Sequence, residues 1–156
     1  MHFTKQPLSF EEVLAKLMRY CSYQERSELE VRQKANTLGY RGNDVDLLVE
    51  RLIADNFQNE KRFAEAYVRG KVNAKRWGIF KIREGLSSKG VASQVATKAL
   101  NSINKKDYLD NLNYLLRNKL KDISQFNQDE KAKLYRFLLS KGYESEKVLE
   151  ALNNAF

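Results

Sequence analysis

The residues best able to do chemistry in this chain are lysines and arginines, and they are concentrated in one stretch. Between Lys61 and Val91, KRFAEAYVRGKVNAKRWGIFKIREGLSSKGV, nine positive side chains accompany two glutamates, a local balance of +7 in a chain whose net charge is +8. Guanidinium and ammonium groups bind phosphate and carboxylate oxygens, and a neighbouring aromatic ring such as Trp77 can stack. The stretch therefore predicts binding of a polyanion, either a nucleic acid or an acidic protein surface.

Eight of these cations are the candidate contact residues: Arg62, Arg69, Lys71, Lys75, Arg76, Lys81, Arg83 and Lys89. Two alternatives stay open. Charged runs on helices are commonly solvated surfaces, and Arg62 and Arg83 could instead hold modules together through ion pairs with nearby carboxylates. The density of charge in one fifth of the chain exceeds what solubility requires and favours binding. Phe63, Tyr67 and Trp77 are expected to pack in the core.

Residues typical of catalysis are scarce. The one histidine is His2, and no glycine-rich phosphate loop or cysteine cluster is present. Cys21 lies in the apolar register of a helix, which predicts a buried thiol. The first ten residues lack a run like a signal peptide, and no window resembles a membrane span. We expect a cytoplasmic protein that is not an enzyme and uses no cofactor or metal.

The elements that carry these residues are predicted to be helices. The single proline, Pro7, precedes the periodic segments, and strand-like alternation is absent. Ser9 with Glu12, and Ser27 with Glu30, have the spacing of N-terminal capping boxes. A third helix is expected over residues 43–56 on an apolar stripe that includes Val45 and Leu52. The fold class is therefore all-α.

The same three-helix plan then recurs, marked by glycines 39, 90 and 142, which are 51 and 52 residues apart. Apolar residues stand at equal offsets from the three glycines: Val31, Ile82 and Leu134; Ala35, Leu86 and Leu138; Val45, Ala96 and Val148; Val49, Leu100 and Leu152. A left-handed glycine would end the second helix of each repeat. The pattern predicts three tandem three-helix repeats, residues 1–57, 58–104 and 105–156, in an elongated, curved array.

The basic stretch also resembles the central signature of the RecX family of regulators. The matching residues are Arg62, Phe63, Ala64, Tyr67, Val68, Arg69, Gly78, Ile82, Arg83, Leu86, Lys89 and Gly90. The segment SELEVRQKANTLGY resembles the family's first repeat, and the triple three-helix plan is also the family's architecture. Two positions depart from the pattern: Ile79 replaces a common proline, which predicts a less fixed helix start, and Gly85 replaces a polar helix former.

The resemblance implies a non-enzymatic modulator of the RecA recombinase. Such a protein acts on the RecA filament assembled on single-stranded DNA and mostly inhibits its ATPase and strand exchange, in recombination, DNA repair and the SOS response. The implied partners are the RecA filament and single-stranded DNA, with duplex DNA a further option, and we expect a monomer.

Two other functions remain open. A helix-turn-helix protein acting directly on DNA would use residues 92–103 as its recognition helix, although that segment holds a single cation, Lys98. A structural adaptor would dock a partner on the apolar last repeat, with Tyr114, Tyr135 and Tyr143 as surface aromatics.

Overall fold

The described chain, residues 6–156 of a computed structural model, is all helical. Nine α-helices follow one another: α1 Phe10–Tyr23, α2 Glu28–Thr37, α3 Gly42–Ala54, α4 Glu60–Gly70, α5 Ile79–Ser88, α6 Ser93–Asn101, α7 Lys105–Leu120, α8 Gln128–Ser140 and α9 Ser145–Ala155. A π-helical segment, Lys71–Lys75, extends α4. No strand occurs in this part of the chain, and the predicted all-α class is confirmed. His2 lies outside the described residues.

Helices α1 and α2 begin directly after the serines that were predicted to cap them. The Ser27 hydroxyl oxygen accepts a hydrogen bond from the Glu30 amide, and the Glu30 carboxylate accepts one from the Ser27 amide, which completes the capping box of α2. Ser9 caps α1 by accepting from the Glu12 amide at 3.2 Å. Helix α3 begins one residue before the predicted start and ends two residues before the predicted end.

The three marker glycines end α2, α5 and α8 with left-handed backbones, at φ values of +96° for Gly39, +76° for Gly90 and +98° for Gly142. At Gly39 the chain closes as a Schellman motif, because the amides of Gly39 and Tyr40 bond to carbonyls in the last turn of α2. The same pair of bonds recurs at Gly142. The repeat detected in the sequence is thus a repeat of backbone geometry.

The chain divides into two compact units. One contains the described residues up to Ala64 together with Lys89–Val91, and the other contains Glu65–Ser88 and Ala92–Phe156. In the first unit α1, α2 and α3 pack on one another around Leu17, Leu48 and Leu52, all fully buried. Burial of each such leucine stabilises the fold by about 1.5–3 kcal/mol. Cys21 joins this core, and burial raises the pKa of its thiol to about 11, so the thiol is protonated at neutral pH.

In the second unit α5 packs on α6, and α7, α8 and α9 pack on one another. The core of α7–α9 contains Leu112, Leu138, Leu152 and the almost fully buried ring of Tyr143. Residues at equal offsets from the glycines are buried in every repeat, including Val31, Ile82 and Leu134. This burial is the physical origin of the sequence repeat.

Candidate anion-binding site

The connection between α4 and α5 forms the centre of the basic stretch. Helix α4 widens into the π-helical segment, and Arg76 then takes a left-handed conformation at φ +54°, which few residues other than glycine adopt. The Trp77 amide donates to the Lys71 carbonyl at 3.1 Å and closes the turn. Irregular helical turns of this kind are frequent at functional sites.

The connection is fixed by main-chain contact with the turn after α8. The Gly78 amide donates to the Lys141 carbonyl at 2.7 Å, and the Phe80 amide donates to the Gly142 carbonyl at 3.0 Å. Gly78 is buried, and a Cβ at this position would lie inside the contact distance of the Gly142 backbone. A Cβ at Gly142 would in turn meet the Lys81 amide nitrogen at 2.6 Å. Both glycines are therefore required for the two backbones to approach.

Two tyrosines of the third repeat complete this anchorage. The Tyr108 hydroxyl accepts from the Ile79 amide at 3.0 Å and donates to the Glu144 carboxylate. The Tyr143 hydroxyl donates to the Arg76 carbonyl at 2.7 Å. Burial, followed by the hydrogen bond to Glu144, raises the pKa of Tyr108 well above its usual range, and burial does the same for Tyr143. Both hydroxyls therefore keep their protons and can donate.

Cations and aromatic rings alternate around this anchored turn. The ammonium groups of Lys71 and Lys81 lie 4.7 and 4.6 Å from the Trp77 ring centre, and the Arg76 guanidinium lies 3.8 Å from the Tyr114 ring centre. Lys75 is exposed beside them in sequence. We call Lys71, Lys75, Arg76, Trp77 and Lys81 the linker cluster.

The linker cluster can bind anions because its positive charge is not neutralised by carboxylates. Within residues 6–156 the salt bridges involve other cations, such as Arg32, Arg62 and Lys89. Each cation–π contact adds about 0.5–1 kcal/mol at an exposed site and restricts the side chain without using up its N–H donors. Trp77, expected in the core, is half-buried here and provides the ring that two ammonium groups share.

The other four candidate residues lie in different surroundings. Arg62 donates to the Glu25 carboxylate at 2.9 Å and to Asn56 Oδ1 at 2.7 Å, and Lys89 lies 3.5 Å from Glu30. Both pairs lie within the first unit, and the Arg62–Glu25 ion pair is the kind of contact that the structural alternative for Arg62 predicted.

Arg83 donates to Thr97 Oγ1 at 3.1 Å and so links α5 to α6. Arg69 is exposed at the end of α4. The structure thus brings together Lys71, Arg76 and Lys81, with Lys75 on the same turn.

The candidate recognition helix, residues 92–103, corresponds to α6, which is nine residues long. Gln94, Lys98 and Asn101 are exposed on it, whereas Thr97 is engaged by Arg83. The aromatic residues considered for an adaptor surface differ from one another: Tyr143 is 1% exposed and belongs to the core, and Tyr114 is 40% exposed. Tyr135 is half-buried and bonds to Ser145 at 2.9 Å.

The two departures from the family pattern have structural explanations. The Ile79 amide donates to the Tyr108 hydroxyl, a hydrogen bond at the start of α5 that a proline could not make. Gly85 leaves room for the Tyr67 hydroxyl, whose position overlaps the place of a Cβ at residue 85. Tyr67 is accordingly half-buried, while Phe63 is buried as expected.

Sequence reasoning missed the tyrosines that position the linker cluster. Tyr108, Tyr114 and Tyr143 lie 29 to 67 residues away from their partners in the connection. Their spacing within α7 and α8–α9 indicated only a helical core. Gly78 does not lie at one of the predicted helix ends marked by Gly39, Gly90 and Gly142. A glycine at such a position can indicate that another backbone approaches closely.

The described residues contain no group of three or more His, Cys, Asp or Glu side chains placed to hold a metal ion. None of their helices has the length and apolar character needed to cross a bilayer.

Known proteins share this architecture. Residues 59–100 match a family model described as RecX, second three-helix domain, and residues 106–152 match one described as RecX, third three-helix domain. A crystal structure of RecX from Lactobacillus salivarius superposes with a TM-score of 0.83 at 25% identity, covering 93% of this chain and 95% of that one. A second structure, titled regulatory protein RecX, matches in fold with a TM-score of 0.79 at 23% identity, over 93% of this chain and 73% of that one.

Curated relatives agree with the domain matches. The regulatory protein RecX of Clostridium botulinum (strain Eklund 17B) is 32% identical over 133 residues, which are 83% of this chain and 62% of the relative. That of Haemophilus influenzae (strain PittEE) is 28% identical over 138 residues, 87% of this chain and 90% of the relative. The chain thus spans about three fifths of the length of its clostridial relatives. With two RecX domains covering more than half of its length, the chain belongs to the RecX family.

Proposed function

We propose that this protein binds the RecA filament on single-stranded DNA and lowers its ATPase and strand-exchange activity, in the cytoplasm and without catalysis of its own. The observation that carries the proposal is the linker cluster. Its three cations on aromatic rings, Lys71, Arg76 and Lys81, are attached to a backbone fixed by Gly78 and Gly142. A cationic surface with so little freedom loses little entropy when it binds an anionic partner.

The eight predicted residues divide by role under this proposal. Lys71, Lys75, Arg76 and Lys81 are the main contacts to acidic side chains of RecA or to exposed phosphates, and Arg69 extends that surface from the end of α4. Arg62, Arg83 and Lys89 act mainly by holding helices in place, because each is engaged by a neighbouring side chain. We further propose that residues 1–57, 58–104 and 105–156 act as three repeats of one monomeric regulator.

The test is the rate of ATP hydrolysis by RecA on single-stranded DNA, with this protein titrated in at fixed salt. A fall in the rate at substoichiometric protein, unchanged when single-stranded DNA is in excess, places the action on the filament. An effect that added DNA abolishes would instead indicate a general nucleic-acid binder, and no effect at all would refute the proposal.

Variants then locate the contact. Lys75→Glu combined with Arg76→Glu should abolish inhibition and leave helical circular dichroism unchanged. Lys119→Glu combined with Lys121→Glu makes an equal charge change at exposed positions of the third repeat and should inhibit normally. Lys98→Glu on α6 separates the helix-turn-helix alternative: loss of duplex DNA binding with intact RecA inhibition would show a separate role for that helix.

A further inference from the structure

A second cationic and aromatic surface lies in the first unit, outside the linker cluster. Lys16, Arg19, Tyr20 and Tyr23 occupy positions i, i+3, i+4 and i+7 of α1, which places them along one face of the helix. Lys34 of α2 faces the same cleft, which has a volume of about 340 Å³ and is lined also by Arg26 and Leu38. Its size lies at the lower end of the range of small-ligand sites, roughly 300–1,000 Å³.

Arg26 organises the cleft. Its Nε donates to the Tyr20 carbonyl at 2.9 Å, at the end of α1, and its guanidinium lies 3.8 Å from the Tyr20 ring centre and 5.9 Å from that of Tyr23. The Lys34 ammonium lies 5.6 Å from the Tyr20 ring centre. A planar cation therefore lies over the Tyr20 ring and within cation–π distance of the Tyr23 ring, and the Lys34 ammonium also lies near Tyr20.

The ring of Tyr23 is 84% exposed, the largest value among the exposed apolar and aromatic side chains of the described chain. Arg26 contacts this ring but leaves most of it exposed, so a ligand that covered the ring would gain from burial of apolar area. No carboxylate lines the cleft, and the nearby acids are engaged elsewhere: Glu25 by Arg62, and Glu30 by Lys89. The surface therefore combines an unused aromatic face with uncompensated positive charge.

We propose that this cleft is a second binding site, for single-stranded nucleic acid, in which a base stacks on Tyr23 and the flanking phosphates contact Lys16, Arg19 and Lys34. Aromatic faces with basic side chains around them are the common design of sites that bind single strands without sequence preference. An acidic protein segment would satisfy the cations and leave the exposed ring unused. A duplex would satisfy the cations too, but its bases are already stacked. The proposal goes beyond regulation of RecA and does not depend on it.

The test uses the whole protein without RecA and measures fluorescence anisotropy with a labelled oligo-dT and with a labelled duplex. Tyr23→Leu should weaken binding of the single strand at least about fivefold, the lower end of what one stacked base contributes, whereas Tyr23→Phe keeps the ring and should bind within about twofold of wild type. Duplex binding should be unchanged in both variants. Arg19→Gln should weaken the binding of both ligands. Arg51→Gln makes the same charge change at an exposed position of α3 and should weaken binding by less.

Because the linker cluster also attracts phosphates, photocrosslinking with an oligonucleotide containing 5-iodouracil locates the strand directly. A crosslink to the tryptic peptide that contains Tyr23, lost in Tyr23→Leu, supports the site. Crosslinks confined to Trp77 and its neighbours would overturn the inference and leave the proposed RecA regulation intact. Equal loss of single-strand and duplex binding in Tyr23→Leu would also overturn it, and so would displacement of the strand from the cleft by poly-glutamate at equal charge concentration.

Discussion

Replacement of Gly78 by alanine tests whether main-chain contact between the second and third repeats positions the linker cluster. Gly78 does not have a left-handed backbone, so alanine is conformationally allowed at this position. The cost arises entirely from space, because the new Cβ would overlap the carbonyl group of Gly142 and the amide of Tyr143. These are backbone atoms at a turn that is itself fixed by hydrogen bonds, and they cannot rotate away as a side chain can.

The magnitude follows from three contributions. Overpacking against a fixed neighbour costs about 1–3 kcal/mol. Separating the two backbones also breaks the 2.7 Å bond from the Gly78 amide to the Lys141 carbonyl, which contributes about 1 kcal/mol. Alanine returns about 0.4–1 kcal/mol by restricting the unfolded chain. The expected net loss of unfolding free energy is about 1–3.6 kcal/mol, and a loss of about 2 kcal/mol lowers the urea midpoint by about 1 M.

Two optical signals report this change separately. Trp77 is the only tryptophan in the chain and is adjacent to the substitution, so its fluorescence follows the connection itself, while circular dichroism follows all helices. Gly70→Ala is the matched control. Gly70 has helical angles of φ −63° and ψ −43°, and a Cβ there meets no heavy atom within 4 Å. That variant should be stabilised by about 0.5–1 kcal/mol.

A lower urea midpoint for Gly78→Ala and a higher one for Gly70→Ala would support the role of the backbone contact, since both variants make the same chemical change eight residues apart. A Gly78→Ala protein as stable as wild type, with unchanged Trp77 fluorescence, would refute it. That result would mean that the connection tolerates separation from the third repeat and that the linker cluster is not held by it.

Three further predictions concern single side chains. Arg76→Gly removes a guanidinium from a left-handed position that suits glycine, so stability should stay within about 1 kcal/mol while RecA inhibition falls, measured by urea midpoint and ATPase assay. Arg62→Ala should lower the free energy of unfolding by about 2–3 kcal/mol, because Glu25 loses its cation and its Oε2 is already buried without a partner. Arg62→Lys should recover only part of this loss. Burial raises the pKa of Glu144, but hydrogen bonds from Lys147 and Tyr108 outweigh it and leave the pKa below that of a free glutamate. The contribution of the Glu144 carboxylate to stability is complete above the pKa of a free glutamate and is lost as the pH falls through the lowered pKa of Glu144. Between about pH 6 and pH 3 the urea midpoint of Glu144→Gln should therefore fall less than that of wild type.

Most of the fold could be predicted from the sequence because it depends on local rules. The positions of Gly39, Gly90 and Gly142 determine where α2, α5 and α8 end, and the apolar residues at equal offsets from them are buried in all three repeats. The spacing of Ser27 and Glu30 predicted that a helix opens near Ser27, and α2 begins at Glu28. Such features concern residues within a few positions of each other, where helix geometry restricts the outcome strongly.

The arrangement of the candidate site was less predictable because it depends on contacts distant in sequence. Charge counting treated the eight cations of the basic stretch as one surface, whereas Arg62 and Lys89 are engaged within the first unit. The π-helical turn and the left-handed Arg76 have no pattern of their own in the sequence. They result from the tyrosines and backbone carbonyls of the third repeat, which only the tertiary structure brings near.

The two glycines at this contact should behave as one structural unit. Gly142 ends α8 as Gly39 ends α2, but here the carbonyls of Lys141 and Gly142, just after the helix, accept hydrogen bonds from the amides of Gly78 and Phe80. Once Gly78→Ala has separated the two backbones, a Cβ at Gly142 no longer meets the Lys81 amide, and only the cost of its left-handed conformation remains, about 1–2 kcal/mol. The double variant should therefore be destabilised by less than the sum of the single variants, by about 1 kcal/mol or more in a double-mutant cycle. Strict additivity would show that Gly142 serves its own turn alone, and the linker cluster would then owe its position to Tyr108 and Tyr143.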